Sequence, residues 1–440
     1  VATNLWNAAC RIGRSVRREF SVPVIVGGHH ATAVPGSVMK EPWVDFVCRG
    51  EGDKALPELV GRLAGGAPVD GVANLVHRKN DRVVREPLGE WVSDLDALPF
   101  DDYSLFDYER IIATRSGWAE VIVTRGCQFA CTYCFNQPLF ERYRADLPRL
   151  TRRDFVRRNS VPYVMDKLKK VRWDYPNITG ITFVDDVFAT GSEWFHEFAR
   201  RYRNEIGLPY ACTSHPSVFD RDVAGLLKES GCKVVKLGVE SGSAKLRRSI
   251  LKRNVTNEHL FEVFGIAKEF DLKPQAFNMI GLPGENIENI KQTIRLNARI
   301  MPYIVWQSTF SPHPGTGLHR NCRRKRMIDE SKWAHVDNFR SDSVLKESVL
   351  PSLEFKKISV MFRWYLNEYL DNEAKGMYRS NIRKLASLPG GQWKDGTAEV
   401  LFRQMDDDID RELRARDVSH YVRKKHINIL WGKEYDYDLT

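Results

Sequence analysis

Three cysteines at C-x3-C-x2-C spacing, Cys127, Cys131 and Cys134, stand in the stretch Thr124-Arg125-Gly126-Cys127-Gln128-Phe129-Ala130-Cys131-Thr132-Tyr133-Cys134-Phe135-Asn136, directly after the apolar run Val121-Ile122-Val123. A strand followed by so short a loop turns three thiolates onto one small volume, the geometry an iron–sulfur cluster needs. A [4Fe–4S] cube held by three thiolates keeps one iron open to a substrate or cofactor, so the site reads as chemical rather than as a sealed electron carrier. The competing readings are a zinc knuckle and unrelated buried thiols. Zinc in a closed structural site takes four ligands, and no fourth cysteine or histidine lies within a dozen residues on either side. The motif therefore favours the cluster.

From Ala119 onward, apolar or β-branched runs recur at 119–124, 181–184, 208–213, 234–239, 275–280 and 303–310, with helical periodicities between them. Val164, Leu168 and Val171 follow a capping Ser160; Ile287, Ile290 and Ile294 mark a later helix. Six βα units predict an α/β fold built on a partial barrel of parallel strands, in which chemistry gathers where strands end. Those ends carry the Cys127 loop, Asp185-Asp186, Ser214-His215, Glu240-Ser241, Asn278 with Gly281, and the segment 311–315. Asp185 and Asp186 are either ligands or caps of the next helix. Glu240 closes an apolar run, and a buried carboxylate needs a partner. His215 is a substrate-side acid or base, or a satisfied loop histidine. Gly281 to Glu285 reads as a tight turn.

Before this region, residues 1–20 repeat at helical spacing and Val22–Val26 reads as a strand ending in Gly27-Gly28-His29-His30-Ala31-Thr32. A second strand, Val44–Cys48, ends in Arg49-Gly50-Glu51-Gly52. Strands running into glycine turns before helices are what a doubly wound sheet places at its ligand edge. Val72–Arg85 predicts a hairpin turning at Asn80-Asp81, and 87–112, with its prolines and acids, predicts a linker. Beyond about 330 the pattern is helical: Ile358, Phe362, Tyr365, Leu366 and Tyr369 give one apolar face, and the acidic run Asp406–Asp410 reads as a solvated helix surface.

The eight cysteines, at 10, 48, 127, 131, 134, 212, 232 and 322, form no disulfide framework. A low-potential cluster needs a reducing compartment, so a cytoplasmic location is expected. No apolar run approaches the ~18 residues of a spanning helix, so no membrane segment is expected. With 67 basic against 57 acidic residues the net charge is +10, concentrated in clusters at 142–158 and 320–326. The aromatics within them, Tyr143 and Phe155, do not interleave in the manner of a nucleic-acid platform, so nucleic acid is not the expected partner.

At the residues Cys127, Cys131, Tyr133 and Cys134 the chain resembles the radical S-adenosylmethionine (radical SAM) enzymes. The order "VIVGGHHAT … VDFVCRGEGD … LPFDDYSLF … TRGCQFACTYC" is similar to their cobalamin-binding branch. The resemblance implies a [4Fe–4S] cluster on the three cysteines, S-adenosylmethionine chelated to the open iron, and one-electron cleavage to a 5′-deoxyadenosyl radical, with electrons from a donor such as flavodoxin or ferredoxin. It places S-adenosylmethionine contacts at Tyr133, Asp185, Asp186, Glu240, Ser241, Asn278 and Gly281, and cobalamin contacts at Gly27, Gly28, His30, Thr32, Gly50 and Glu51. His29 and His30 are otherwise a pair of solvated loop histidines. The implied architecture is an incomplete Rossmann-like cobalamin domain (1–86), a linker (87–112), a partial (β/α)6 radical SAM barrel (113–330) and a helical C-terminal region (331–440).

Only the last two strands of the cobalamin domain are present, the chain begins at Val1, and no Asp-x-His-x-x-Gly loop occurs. Corrinoid binding is therefore expected to be weak or absent in this chain. The expected activity is cobalamin-dependent methylation of an unactivated position on a small molecule. The alternatives are a non-methylating radical cyclisation, oxidation or rearrangement, or a cluster- and cobalamin-containing protein without turnover. The absence of a second cysteine triplet disfavours tRNA methylthiolation.

Overall fold

A computed structural model describes residues 1–80, 82–333, 342–418, 420–421, 425–428 and 433–436. Its first sheet joins β1 (Ile25–Val26), β2 (Phe46–Cys48), β3 (Leu75–Lys79) and β4 (Arg82–Arg85) in that order. β1 and β2 pair in parallel, and β2–β3 and β3–β4 antiparallel. The predicted hairpin therefore exists, but it extends the sheet of the two glycine-ended strands instead of standing apart; its Asp81 lies outside the described residues. Helix Trp6–Glu19 covers this sheet and contributes the buried Cys10 to a core with Val26, Val38, Trp43, Val44, Val47 and Val76.

Next come β5 (Trp118–Val121) and a short antiparallel pair of β6 (Thr124–Arg125) with β7 (Arg157–Arg158). β8 (Gly180–Phe183), β9 (Tyr210–Ser214), β10 (Cys232–Glu240), β11 (Lys273–Ile280) and β12 (Ile304–Thr309) follow, each preceded by helix. The strands β5, β8, β9, β10, β11 and β12 lie side by side in chain order, every pair parallel. This is the expected six-stranded partial barrel. Each predicted run falls on a strand because a strand buried on both faces reads as a continuous Val/Ile/Leu-rich segment.

The core between this sheet and its helices is rich in rings. Phe183 stacks on Phe188 at 4.2 Å and meets Phe198 and Tyr210 edge-on at 5.5 Å each, arrangements that satisfy the ring quadrupoles as well as burying area. Residues 91–98 are pinned to the barrel: Asp96 accepts from Asn159 Nδ2 at 3.1 Å and from the Ser160 backbone at 2.9 Å, and the Leu98 carbonyl accepts from the Tyr163 hydroxyl.

In the C-terminal region the predicted apolar face is divided between helices Ser352–Val360 and Phe362–Tyr369. Ile358, Phe362 and Leu366 pack on Ile280, Ile290, Ile294 and Val305 of the barrel. The acidic run is not uniformly solvated. Asp406 is buried and accepts a 2.6 Å hydrogen bond from Trp364 Nε1, since the helix Thr397–Ala415 turns that position onto the core at helical spacing with Phe402 and Ile409.

Candidate active site

The cysteine loop leaves β6 through Gly126, whose φ is +84° and where a Cβ would stand 2.2 Å from the Phe155 carbonyl oxygen. Glycine is required there both by the left-handed backbone and by the close approach. Asp185, at the end of β8, anchors the same entry: its Oδ1 accepts from the Val123 and Thr124 backbone N–H groups and from Thr124 Oγ1. Burial pushes its carboxyl up to about 6 against these three donors, and its Oδ2 is buried without a partner. Asp186 is exposed and accepts from Asn136 Nδ2 at 2.8 Å, beside Cys134. Neither aspartate caps the following helix, which begins at Glu193 with Ser192 as its N-cap.

All three cysteines are free thiols. Burial is the first cause that pushes Cys127 up to about 11 and Cys134 up to about 12, with Asp186 and the neighbouring cysteines adding to it. Three desolvated thiols crowded against one another are costly to ionise without a cation, and a cluster that binds them as thiolates removes that cost. The donor set is three sulfurs with no fourth protein ligand in the loop, which fits a [4Fe–4S] cube with one open iron.

Glu240 ends β10 with φ +65°, a strained conformation for a side chain of its size. Its Oε1 lies 3.9 Å from Arg253 Nη1, both side chains being largely buried. Burial raises the Glu240 carboxyl while Arg253 and a hydrogen bond with Tyr133 lower it. Burial works to lower Arg253, yet Tyr133, Glu240 and Cys131 together hold its guanidinium above the ordinary value. A Cβ at Gly238 would come within 2.4 Å of Glu240 Oε1 and 2.8 Å of Arg253 Nη2, so the absence of a side chain there makes room for the pair. Tyr133, Glu240 and Arg253 thus meet beside Cys131. Arg253 was not singled out in the sequence, where it follows Lys252 in an unremarkable basic pair.

The other expected contacts are placed less uniformly. Ser241 is fully buried and its Oγ accepts from the Ser243 N–H. Asn278 exchanges side-chain hydrogen bonds with Asn297 at 2.7 and 3.1 Å and donates to the Trp306 carbonyl. Its amide is engaged by the helix Ile287–Ile300 rather than left for a ligand. Gly281 N–H donates to Glu285 Oε2 at 2.6 Å. His215 stacks on Phe129 of the cysteine loop at 3.6 Å, and its Nδ1 accepts from the Ser217 N–H. Burial, then Arg253 and His259, push it down to about 2, and its Nε2 is buried with no hydrogen-bond partner among the described residues.

The six expected cobalamin contacts stand at the ends of β1 and β2 and in the segments that follow them. Thr32 Oγ1 accepts from the Gly50 N–H, Glu51 N–H donates to the Tyr143 hydroxyl at 2.8 Å, and the Glu51 carboxylate pairs with Arg157 and Arg125. Glu51 thus docks the first sheet on the barrel, while Thr32 and Gly50 hold each other within the region of the first sheet. The Val1 amino group donates to the Gly27 carbonyl and the Val1 carbonyl accepts from His30 N–H, so backbone lies against the glycine pair. His30 is buried under Trp6 at 4.7 Å and is not a solvated loop histidine. His29, not among the expected contacts, stacks at 4.3 Å on Phe135, one residue past Cys134.

Comparison with known proteins agrees with the geometry. Residues 121–296 match the radical SAM superfamily. The chain is 27% identical over 353 residues to an uncharacterised methyltransferase of Pyrococcus horikoshii, covering 80% of this chain and 73% of that one. It is 23% identical over 384 residues to the cytidylyl-2-hydroxyethylphosphonate methyltransferase of Streptomyces wedmorensis, covering 79% and 69%. The fold is similar to the radical S-adenosylmethionine methyltransferase TsrM of Kitasatospora setae, solved with cobalamin and a [4Fe–4S] cluster, with TM-score 0.63 at 15% identity over 92% of this chain and 85% of that one. The cysteine loop and strands β8, β9, β10 and β11 of the partial barrel thus lie in the segment that matches the radical SAM superfamily, and the chain as a whole is similar to methyltransferases, among them one solved with cobalamin and a [4Fe–4S] cluster.

Proposed function

We propose that this enzyme cleaves S-adenosylmethionine reductively and uses the resulting radical to methylate an unactivated position of a small molecule. The carrying observation is the convergence of Cys127, Cys131 and Cys134 with Tyr133, Glu240 and Arg253 at the C-terminal end of the barrel strands. A cluster held by Cys127, Cys131 and Cys134 would supply the electron for cleaving one S-adenosylmethionine to methionine and a hydrogen-abstracting radical, and the methyl group would come from a second S-adenosylmethionine, leaving S-adenosylhomocysteine. The chain's own residues position and shield that event. Arg253 offsets the negative charge of thiolates and Glu240 in a desolvated setting. Glu240, held at its strained backbone by Gly238 and Arg253, presents a carboxylate to the cationic amino group of S-adenosylmethionine. Asp185 fixes the strand end from which the cysteine loop departs.

Cobalamin is the methyl carrier of this reading, which the relatives' methyltransferase names and the likeness to a structure solved with cobalamin support; no step is assigned to a cobalamin contact of this chain. A radical reaction without methyl transfer is the second reading. The test is anaerobic incubation of reconstituted, reduced protein with S-adenosylmethionine labelled in its methyl group. Label in a substrate from an anaerobic extract, with 5′-deoxyadenosine formed, supports methylation. Formation of 5′-deoxyadenosine with no transferred label selects the second reading, and formation of neither overturns both.

A further inference from the structure

A cavity of about 860 Å³ opens beside the cysteine loop, with Gln128 in its wall, and it is lined by Arg152, Arg153 and Arg158 against a single carboxylate, Asp220. That carboxylate is already engaged, accepting from the Val223 N–H as the cap of the next helix. Arg158 comes from β7 and Arg152 from the short helix Arg152–Phe155, so two elements that follow the cysteine loop bring their charges to one place.

The arginines are held by neutral partners. Arg158 Nη1 donates to Ser192 Oγ at 3.2 Å, and its guanidinium lies 5.5 Å from the Trp194 ring. Arg152 donates to Gln137 Oε1 and lies 4.0 Å over Phe140. Arg158 Nε and Arg152 Nη1 are buried with no hydrogen-bond partner. Burial is the first cause that lowers both guanidinium groups, and among the described residues none of the three arginines is paired with a carboxylate within ion-pair distance. Asp185 acts on Arg158, and Cys127 with Glu141 on Arg152, from beyond ion-pair distance, and partly desolvated charges without a directly bonded anion are stabilised when one enters.

The same wall holds Thr190 and Ser192, whose hydroxyls are 3.0 Å apart. Ser192 stands at the N-terminus of the 13-residue helix Glu193–Glu205, and its side chain makes no capping bond there. A helix N-terminus and planar guanidinium forks both favour a tetrahedral oxyanion. Among the lining residues three arginines face one carboxylate, which suits an anionic group. The cavity volume is that of a small-molecule site, and half-buried arginines in a concavity are poorly placed to meet the surface of a folded acidic partner.

We infer that this cavity binds the phosphoryl or phosphonyl group of the substrate, anchoring an anionic small molecule beside the cysteine loop. The inference rests on the radical SAM reading above and names its substrate class. Arg158 and Arg152 are the principal ligands and Arg153, exposed at the rim, contributes less.

The test is calorimetric titration of inorganic pyrophosphate into the reconstituted full chain at low ionic strength. Saturable binding at one site is expected, weakened about tenfold or more in Arg158→Met and in Arg152→Met, the loss of a charge-assisted pair. Arg158→Lys, which keeps the charge but loses the fork, should fall between wild type and Arg158→Met, and cluster absorbance and the melting midpoint verify that each variant is folded. Absence of saturable binding, or binding equal in wild type and both methionine variants, overturns the inference. Pyrophosphate indifference combined with slowed reduction of the cluster by flavodoxin in the variants also overturns it, in favour of an electron-donor docking face. Wild-type cleavage of S-adenosylmethionine, measured with no phosphorylated compound present, tests the underlying reading separately.

Discussion

Glu240 and Arg253, thirteen residues apart in the chain, face each other with 3.9 Å between Oε1 and Nη1, above a glycine whose Cβ would displace both. The pair sits against Tyr133 and Cys131, within the proposed S-adenosylmethionine site. Glu240→Gln is expected to retain cluster absorbance while weakening S-adenosylmethionine binding by roughly 1.5–3 kcal/mol, the loss of a charge-assisted hydrogen bond. Equilibrium binding of S-adenosylmethionine by the two proteins checks this. An unchanged affinity would return Glu240 to a purely structural role.

The three cysteines are expected to act together. Reconstituted wild-type protein should hold about four irons per chain, and Cys131→Ala should lose both the cluster and S-adenosylmethionine cleavage. Cys10→Ala, in a helix of the first sheet's core, should lose neither. Iron and sulfide assay with 5′-deoxyadenosine detection makes the comparison, and normal cleavage by Cys131→Ala would end the cluster assignment.

Glu285 predicts a pH dependence of stability. Its Oε2 accepts from Gly281 and Leu282, its Oε1 is buried without a partner, and burial raises the carboxyl from 4.5 to about 8. A carboxyl raised in the folded chain holds a proton that the unfolded chain has released, so this contribution is full below pH 4.5 and is lost as pH rises through about 8. The slope is about 1.4 kcal/mol per pH unit at most. Glu285→Gln cannot titrate and should flatten the curve of melting midpoint against pH between 5 and 8. Parallel curves for the two proteins would show that Glu285 does not carry the effect.

Glu51 should behave as an anchor between the first sheet and the barrel. Its carboxylate pairs with Arg157, whose side chain is only 6% exposed, and with Arg125. Removing one partner of a buried pair leaves the other uncompensated, so Glu51→Gln is expected to destabilise the ligand-free chain by roughly 3 kcal/mol in chemical denaturation. A change below about 0.5 kcal/mol, the range of neutral surface substitutions, would reopen its reading as a cofactor contact.

The expected weakness of corrinoid binding is checked by gel filtration after incubation with hydroxocobalamin, following corrinoid absorbance with the protein peak. The chain is expected to elute without it, because Thr32 and Gly50 are bonded to each other and Glu51 is engaged with Tyr143, Arg157 and Arg125. Co-elution at one corrinoid per chain would show that these contacts rearrange around the cofactor.

The amino-acid order by itself determined the cysteine loop, the six parallel strands and the turn residues Gly126 and Gly281. Each is written in neighbouring residues: thiol spacing, continuous apolar runs, a glycine where φ is positive. The same local reading placed Glu240 at a strand end but could not name its partner. Tertiary structure alone decided that Arg253 meets Glu240, that Asp185 reaches 61 residues back to Thr124, that Asn278 is taken by Asn297, and that Glu51 joins Arg157. It also gathered Arg152 and Arg158 with Ser192 around one cavity, where the sequence showed only a basic cluster. Charges and amides choose partners by distance through space and by shared desolvation, and neither quantity has a period along the chain from which it can be read.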